Sequence, residues 1–490
     1  MRVGTLTAAV SPDGRSLDLT DAHGSAVASL TFAVPGDRVA GWESDEEELL
    51  LAQAGSAQSR LRVVESGEAF SLHLTVDNLG PDPVELPYLG LGVSLADGWA
   101  GWAWTTDLAG LIAITSARDG RGGVLVRLRQ GFLRGAREVP VFLPKAEDAA
   151  GRGAFHLSPP GALLGGHRRH AVTLDVTPLR ALTDAAALLP PWLPRPVERE
   201  GTEITLSLPD QAVVPGPGVS STLVGTDLVL TLMGSAGHRE VAIHGRGVQR
   251  LRLTWHPMVA DLLPPLVDRL TRRRPGRGTE GAGFVVVEAV VRSLAPDRER
   301  ALDWLDQTDW LERGSLLGDV TAGVLAAVQG ERRQLEAAWL SLARRPVTPG
   351  FGLAVMRLWL ATLSSTGEPP SLAHELLARR APDAASGLEL ALLSYRSADA
   401  LAAPLGGLIN TLGGSLPGGP IGLSASDAAL AVSLLKLCPE NWGRSREASE
   451  AAGKAEGLLL GDLASALAED PDGLPSLDGL AWLLLGELGI

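Results

Sequence analysis

The chain has 490 residues, of which 45% are hydrophobic and 20% charged, a globular composition that excludes disorder and collagen-like repeats. Its net charge of −14 works against a nucleic-acid partner, because an acidic surface and a phosphate backbone repel one another. Only 4% of the residues are aromatic, yet Trp contributes 12 against 7 Phe and 2 Tyr.

One cysteine, Cys438, excludes an internal disulfide or a multi-cysteine zinc site, and its place in Ala431–Cys438 reads as a buried thiol on an apolar helix. The basic residues are nearly all Arg, with Lys only at 145, 436 and 454, as the codon bias of a GC-rich bacterial genome would give. The first ten residues are too short and too polar for a signal-peptide core, and no apolar run reaches the length of a membrane span. A cytoplasmic location is therefore expected.

At roughly 100–200 residues per domain the length implies about two to four domains. Residues 1–180 read as a β-sandwich. Short alternating segments such as 16–20, 69–78, 123–129 and 171–176 put apolar side chains on one face and polar ones on the other, as an antiparallel sheet wetted on one side requires. Within it, residues 63–86 (Gly-Glu, an alternating strand, Asn-x-Gly, then Pro-Val-x-Leu) resemble two neighbouring strands of a bacterial immunoglobulin-like sandwich. That resemblance implies a fold and no activity.

Trp99, Trp102 and Trp104 follow a turn at Asp97, and the last two share a strand face. With the carboxylates of Asp97 and Asp107 they form a candidate ligand site: indole rings cover the apolar face of a sugar while carboxylates accept from its hydroxyls. The alternative is that the rings close one end of the sandwich core. Arg127, Arg129, Arg134 and Arg137 are the densest arginine group of the β region, a candidate surface for an anion or an acidic partner; the plainer expectation is ion pairing on an exposed face. His167 and His170 lack a third ligand nearby, so no metal is expected.

Residues 181–200 read as a connector: a short helical stretch, then Pro190-Pro-Trp-Leu-Pro-Arg-Pro196, stiffened because each proline fixes its backbone. A second β segment, 201–256, either forms another sandwich or continues the first. Residues 257–281 read as an Arg-rich linker. From 282 to 490 the period changes to three or four, and helices are expected near 283–295, 297–313, 315–329, 331–344, 351–365, 370–380, 383–395, 425–438, 446–468 and 475–488. Ser315, Asp297 and Asp383 supply caps, and Gly314 and Gly330 supply stops. The fold class is therefore multidomain, β followed by α: antiparallel sandwich, immunoglobulin-like or one large sandwich, then an all-α helix-hairpin array.

In the helical half Asp303, Asp306, Asp309 and Glu312 recur every three residues in a twice-repeated Asp-Trp-Leu. On one helix they would share a drifting face, and paired carboxylates are the equipment of glycoside hydrolysis; the plainer expectation is a solvated acidic face. Residues 406–422, rich in glycine, lack the lysine of a phosphate loop and read as a mobile loop within the helical part; covering a site is the lesser alternative. Ser433-Leu-Leu-Lys436 has the serine-lysine spacing of penicillin-binding enzymes but falls mid-helix.

The β-then-helical order resembles bacterial glycoside hydrolases and phosphorylases that pair a large β-sandwich with a helical toroid. No acid/base pair here matches by motif. The leading expectation is thus a non-catalytic binding or assembly protein that presents sandwich and helical surfaces to a protein partner or to a second copy. The alternative is a carbohydrate-binding or carbohydrate-active protein using the Trp cluster and carboxylates. No cofactor is expected.

Overall fold

The computed structural model describes residues 2–488 apart from 12–15, 34–47, 55, 86–89, 107, 119–121, 132–133, 136–154, 157–162, 194, 196, 210–211, 214–218, 225–226, 245–247, 277–279, 369, 395–400, 415, 471–472 and 474. Sheets fill the N-terminal half and a helical array the C-terminal half.

The first strands are β1 (Arg2–Val3), β2 (Leu6–Val10), β3 (Ser16–Thr20), β4 (Ala26–Ala33), β5 (Glu48–Ala54), β6 (Ala57–Ser66), β7 (Ala69–Asn78) and β8 (Val84–Glu85). They are followed by β9 (Gly90–Leu95), β10 (Trp99–Thr105), β11 (Gly110–Ser116), β12 (Gly123–Gln130), β13 (Arg134–Gly135), β14 (Phe155–His156), β15 (Leu163–Leu164) and β16 (Arg169–Pro178). Two antiparallel sheets result, in the orders β1-β2-β3-β4-β9-β14-β13 and, with Gly419–Ile421 of the helical half as β24, β24-β10-β11-β12-β16-β7-β6-β5. On β7, Phe70, Leu72, Leu74 and Val76 are buried while Ser71, His73, Thr75 and Asp77 take the other face, as a period of two dictates. Phe70, Leu72 and Leu74 join Leu17, Leu30, Leu91, Ile112 and Val126 in the core between the sheets. The two sheets thus pack as an antiparallel sandwich. Within 63–86, β6 and β7 form a hairpin turned at Gly67 with φ 56°, whereas β8, the strand expected beyond the Asn-x-Gly turn, pairs with β15 rather than with β7. Asn78 closes the next corner, donating to the carbonyls of Asp82, Leu164 and Gly165 and accepting from the Gly80 amide.

After a short helix α1 (Leu182–Ala186) come β17 (Val197–Arg199), β18 (Ile204–Pro209), β19 (Ala212–Val213), β20 (Val219–Val224), β21 (Asp227–Leu232), β22 (Gly237–His244) and β23 (Val248–His256). They make sheets of order β17-β23-β22-β19 and β18-β21-β20 around a core of their own, which contains Leu206, Leu230, Ile243, Leu253 and Trp255. The connector's last residues are therefore part of a sheet, because β17 pairs in parallel with β23.

The stretch read as an Arg-rich linker begins with a helix, α2 (Val259–Thr271), which buries Leu262, Leu263, Leu266, Val267 and Leu270. That three-and-four spacing is an apolar stripe; Arg269 sits in its last turn and Arg272, Arg273 and Arg274 follow its end. The array continues with α3 (Glu280–Val291), α4 (Arg298–Asp306), a 3₁₀ turn (Leu311–Arg313), α5 (Leu316–Gln329), α6 (Arg332–Arg344), α7 (Phe351–Thr366), α8 (Ser371–Leu377) and α9 (Ala384–Leu393). Then come α10 (Ala402–Thr411), β24 (Gly419–Ile421), α11 (Ala425–Lys436), α12 (Ser445–Glu469) and α13 (Asp478–Gly486). Asp297, Ser315 and Asp383 cap α4, α5 and α9 through their side chains, and Gly330 ends α5 in the left-handed region. The glycine-rich stretch read as a loop instead supplies the end of α10 and β24. No described helix is long and apolar enough to cross a membrane.

Candidate binding surface

The register of the eight-stranded sheet brings two of the sequence candidates onto one face. Pro420, Trp102, Ala113 and Leu125 form one cross-strand row, and Trp104, Leu111, Arg127, Asp175 and Ser71 form the next. At the β10 end of these rows Trp102, Trp104, Leu111, Ala113 and Leu125 are buried in the same core as the helices. At the β16 and β7 end the same face turns polar. Trp99 points to the opposite face, against the core between the sheets. Asp97 is exposed in the turn before β10, and Asp107 lies outside the described residues.

Trp102 is only 1% exposed, so no ring face is open to a sugar. Its indole donates to the Pro417 carbonyl at 2.5 Å, and the Lys454 amine lies 4.3 Å from its ring. Gly413, at φ +72°, approaches the ring so closely that a Cβ there would come within 2.3 Å of it. Trp102 and Trp104 are thus part of the joint between sandwich and array.

The polar part of the face carries Arg127 and Arg129 on β12, Asp175 and Thr173 on β16, Ser71, His73 and Thr75 on β7, and Arg60 and Arg62 on β6. Arg127 and Arg129 are exposed. Asp175 accepts from the Ser71 hydroxyl at 2.7 Å and stands 3.7 Å from the Arg129 guanidinium. The His73 Nδ1 is 3.2 Å from the Thr173 hydroxyl, and Glu48 stands opposite Arg62 at the outer edge. Guanidinium forks on such a face match carboxylates in pairs of hydrogen bonds. Arg134 belongs to β13 on the edge of the other sheet; Arg137 lies outside the described residues.

The acidic run does not share one helix. α4 stops at Asp306, and the Asp309 carboxylate accepts from the amides of Leu311 and Glu312, turning the chain into the 3₁₀ segment. All four carboxylates are exposed, while Trp304 and Trp310 are buried behind them with ring centroids 6.1 Å apart. Asp306 accepts from the Gln329 amide at 3.0 Å. The Ser433 hydroxyl donates to Ala429 and Trp482 carbonyls, and Lys436 pairs with Glu456 at 2.6 Å, so the serine-lysine spacing joins nothing. Among the described residues no three His, Cys, Asp or Glu side chains gather as metal ligands.

Several buried ionic groups that sequence reasoning passed over are tied internally. Asp319, fully buried, accepts from Arg345 and Ser341. Glu288 holds Arg357 at 2.6 Å and Arg292 at 3.3 Å. His238 lies between the Thr254 hydroxyl, 2.9 Å from its Nδ1, and the Asp462 carboxylate on α12, which fastens the small sandwich to that helix. Lys454 carried a signal that went unread, as one of three lysines in a chain whose cations are otherwise arginine.

The chain matches no protein-family model and no curated protein. Among solved structures it is similar to a polysaccharide lyase, at 13% identity and a TM-score of 0.49, over 93% of this chain and 82% of that one.

Proposed function

We propose that the chain is a non-catalytic binding protein that takes an acidic segment of a protein partner on the arginine-bearing face of its eight-stranded sheet. The observation that carries this reading is the change of character along one cross-strand row, from Trp104 and Leu111 under the helices to exposed Arg127 beyond them. A chain of net charge −14 repels an acidic partner except where arginines gather, so the patch also sets the docking orientation. The described residues of that face include no Phe, Tyr or Trp outside the covered joint, which leaves a sugar ring nothing flat to stack on.

Calorimetric titration with a poly-glutamate peptide at low salt tests the reading. Binding is expected in the native chain, and Arg127→Glu combined with Arg129→Glu should weaken it about tenfold or more without lowering the melting temperature. Absence of binding, or equal binding by the double variant, would overturn the proposal. A response to an oligosaccharide of uronic acids with none to the peptide would replace it by the carbohydrate reading.

A further inference from the structure

We propose that Lys454 is the proton-controlled pin of a clasp, residues 416–421, which closes the open edge of the large sheet and tightens as the medium becomes more alkaline. Three features build the clasp. β24 pairs with β10 through Gly419, Pro420 and Ile421 only. The Pro417 carbonyl accepts the Trp102 indole proton. The Lys454 amine, on α12, donates to the Gly414 and Leu416 carbonyls at 2.6 and 2.7 Å while resting on the Trp102 ring. Gly418 and Gly422, both at positive φ, bracket β24 and are natural points for the backbone to swing about.

Burial alone pushes Lys454 down to about 7. Among the described residues no carboxylate offsets that burial. α10, β10 and residues 416–421 contain no ionisable side chain. On α12 itself Glu447 is engaged by Arg444, Glu450 by Arg446 and Glu456 by Lys436. On α1, whose Leu182 packs beside Gly414, Asp184 is exposed.

The sign follows from linkage. With the clasp open the amine meets water and recovers an ordinary lysine pKa near 10.4; closed, it titrates near 7. The open form therefore binds more protons between those values, and falling pH favours opening across that window, with a plateau below it. Above it the neutral amine keeps two N–H groups for its two carbonyl acceptors.

Hydrogen exchange of the full chain read by mass spectrometry, corrected for the intrinsic pH dependence of exchange, tests this on peptides covering 416–421. Protection is expected to rise on the order of tenfold per pH unit between about 7 and 10. In Lys454→Met, which is uncharged at every pH, protection should be high and independent of pH. In Lys454→Arg, charged throughout, it should be low and flat. Protection that does not change with pH in the native chain, or that changes equally in Lys454→Met, would overturn the proposal.

Discussion

Glu389 caps α7 from a neighbouring helix: its carboxylate accepts from the backbone amides of Gly350 and Leu353 at 2.7 Å each, in a site only 1% exposed. Burial outweighs those amides and, with Asp383 nearby, pushes the carboxyl up to about 7. A raised carboxyl pKa means that below about 4.5 the group is protonated in folded and unfolded chains alike. As pH rises from there to 7 the unfolded chain gives up its proton first, so stability falls across that interval and levels off above it. The span corresponds to about 3 kcal/mol at most. Urea denaturation of the native chain and of Glu389→Gln at several pH values should show the variant gaining on the native chain between pH 4.5 and 7 by up to that amount. A constant difference across the series would mean that Glu389 is already ionised at the lower end. Nothing in the sequence marked this residue, since Gly-Leu-Glu-Leu-Ala reads as an ordinary helix turn and its partners lie on another helix.

Between elements, legibility followed locality. α5 and α6 were readable to within a residue or two because Ser315 and Gly330 signal their ends in the chain itself. α10 was not, since Ala-Ala-Pro-Leu-Gly-Gly has poor helix propensity and is held by packing: Gly407 lies so near the Ala117 carbonyl that a Cβ would come within 2.1 Å of it. The pairing of β24 with β10 joins residues more than 300 positions apart, and no local pattern encodes such a contact. α12 shows the same limit. Its Gly457 and Gly461 are spaced by one turn, and added Cβ atoms would lie 2.5 Å from Val197 and 2.3 Å from Thr254. These two glycines let the helix settle directly on β17 and β23. Gly461→Val should therefore lift α12 from the small sandwich at a cost of about 2 kcal/mol, break the His238 contact to Asp462, and lower the urea midpoint. An unchanged midpoint would show that the sandwich shifts to accommodate the side chain.

In the whole molecule, sandwich and array share a core. Trp102, Trp104, Leu111, Ala113 and Leu125 belong to the apolar cluster that runs through the helices to Leu484 and Leu488, while the sandwich's inner faces form a second cluster. Three of the twelve tryptophans serve such joints: Trp102 between sandwich and array, and Trp304 and Trp310 where α4 meets the 3₁₀ turn. A sheet whose outer face is capped in this way cannot lose the helices without exposing that apolar row to water, so the two should melt as one cooperative unit. Trp102→Ala removes the ring that Lys454, Pro417 and Gly413 all contact, and a buried Trp truncated to Ala costs about 3–5 kcal/mol. Scanning calorimetry of the native chain should show sandwich and array unfolding in a common transition, which the substitution lowers and splits. If the native chain already melts in separate steps and the substitution moves only one of them, the shared cluster does not couple the halves, and the joint at Trp102 is merely a contact between independent domains.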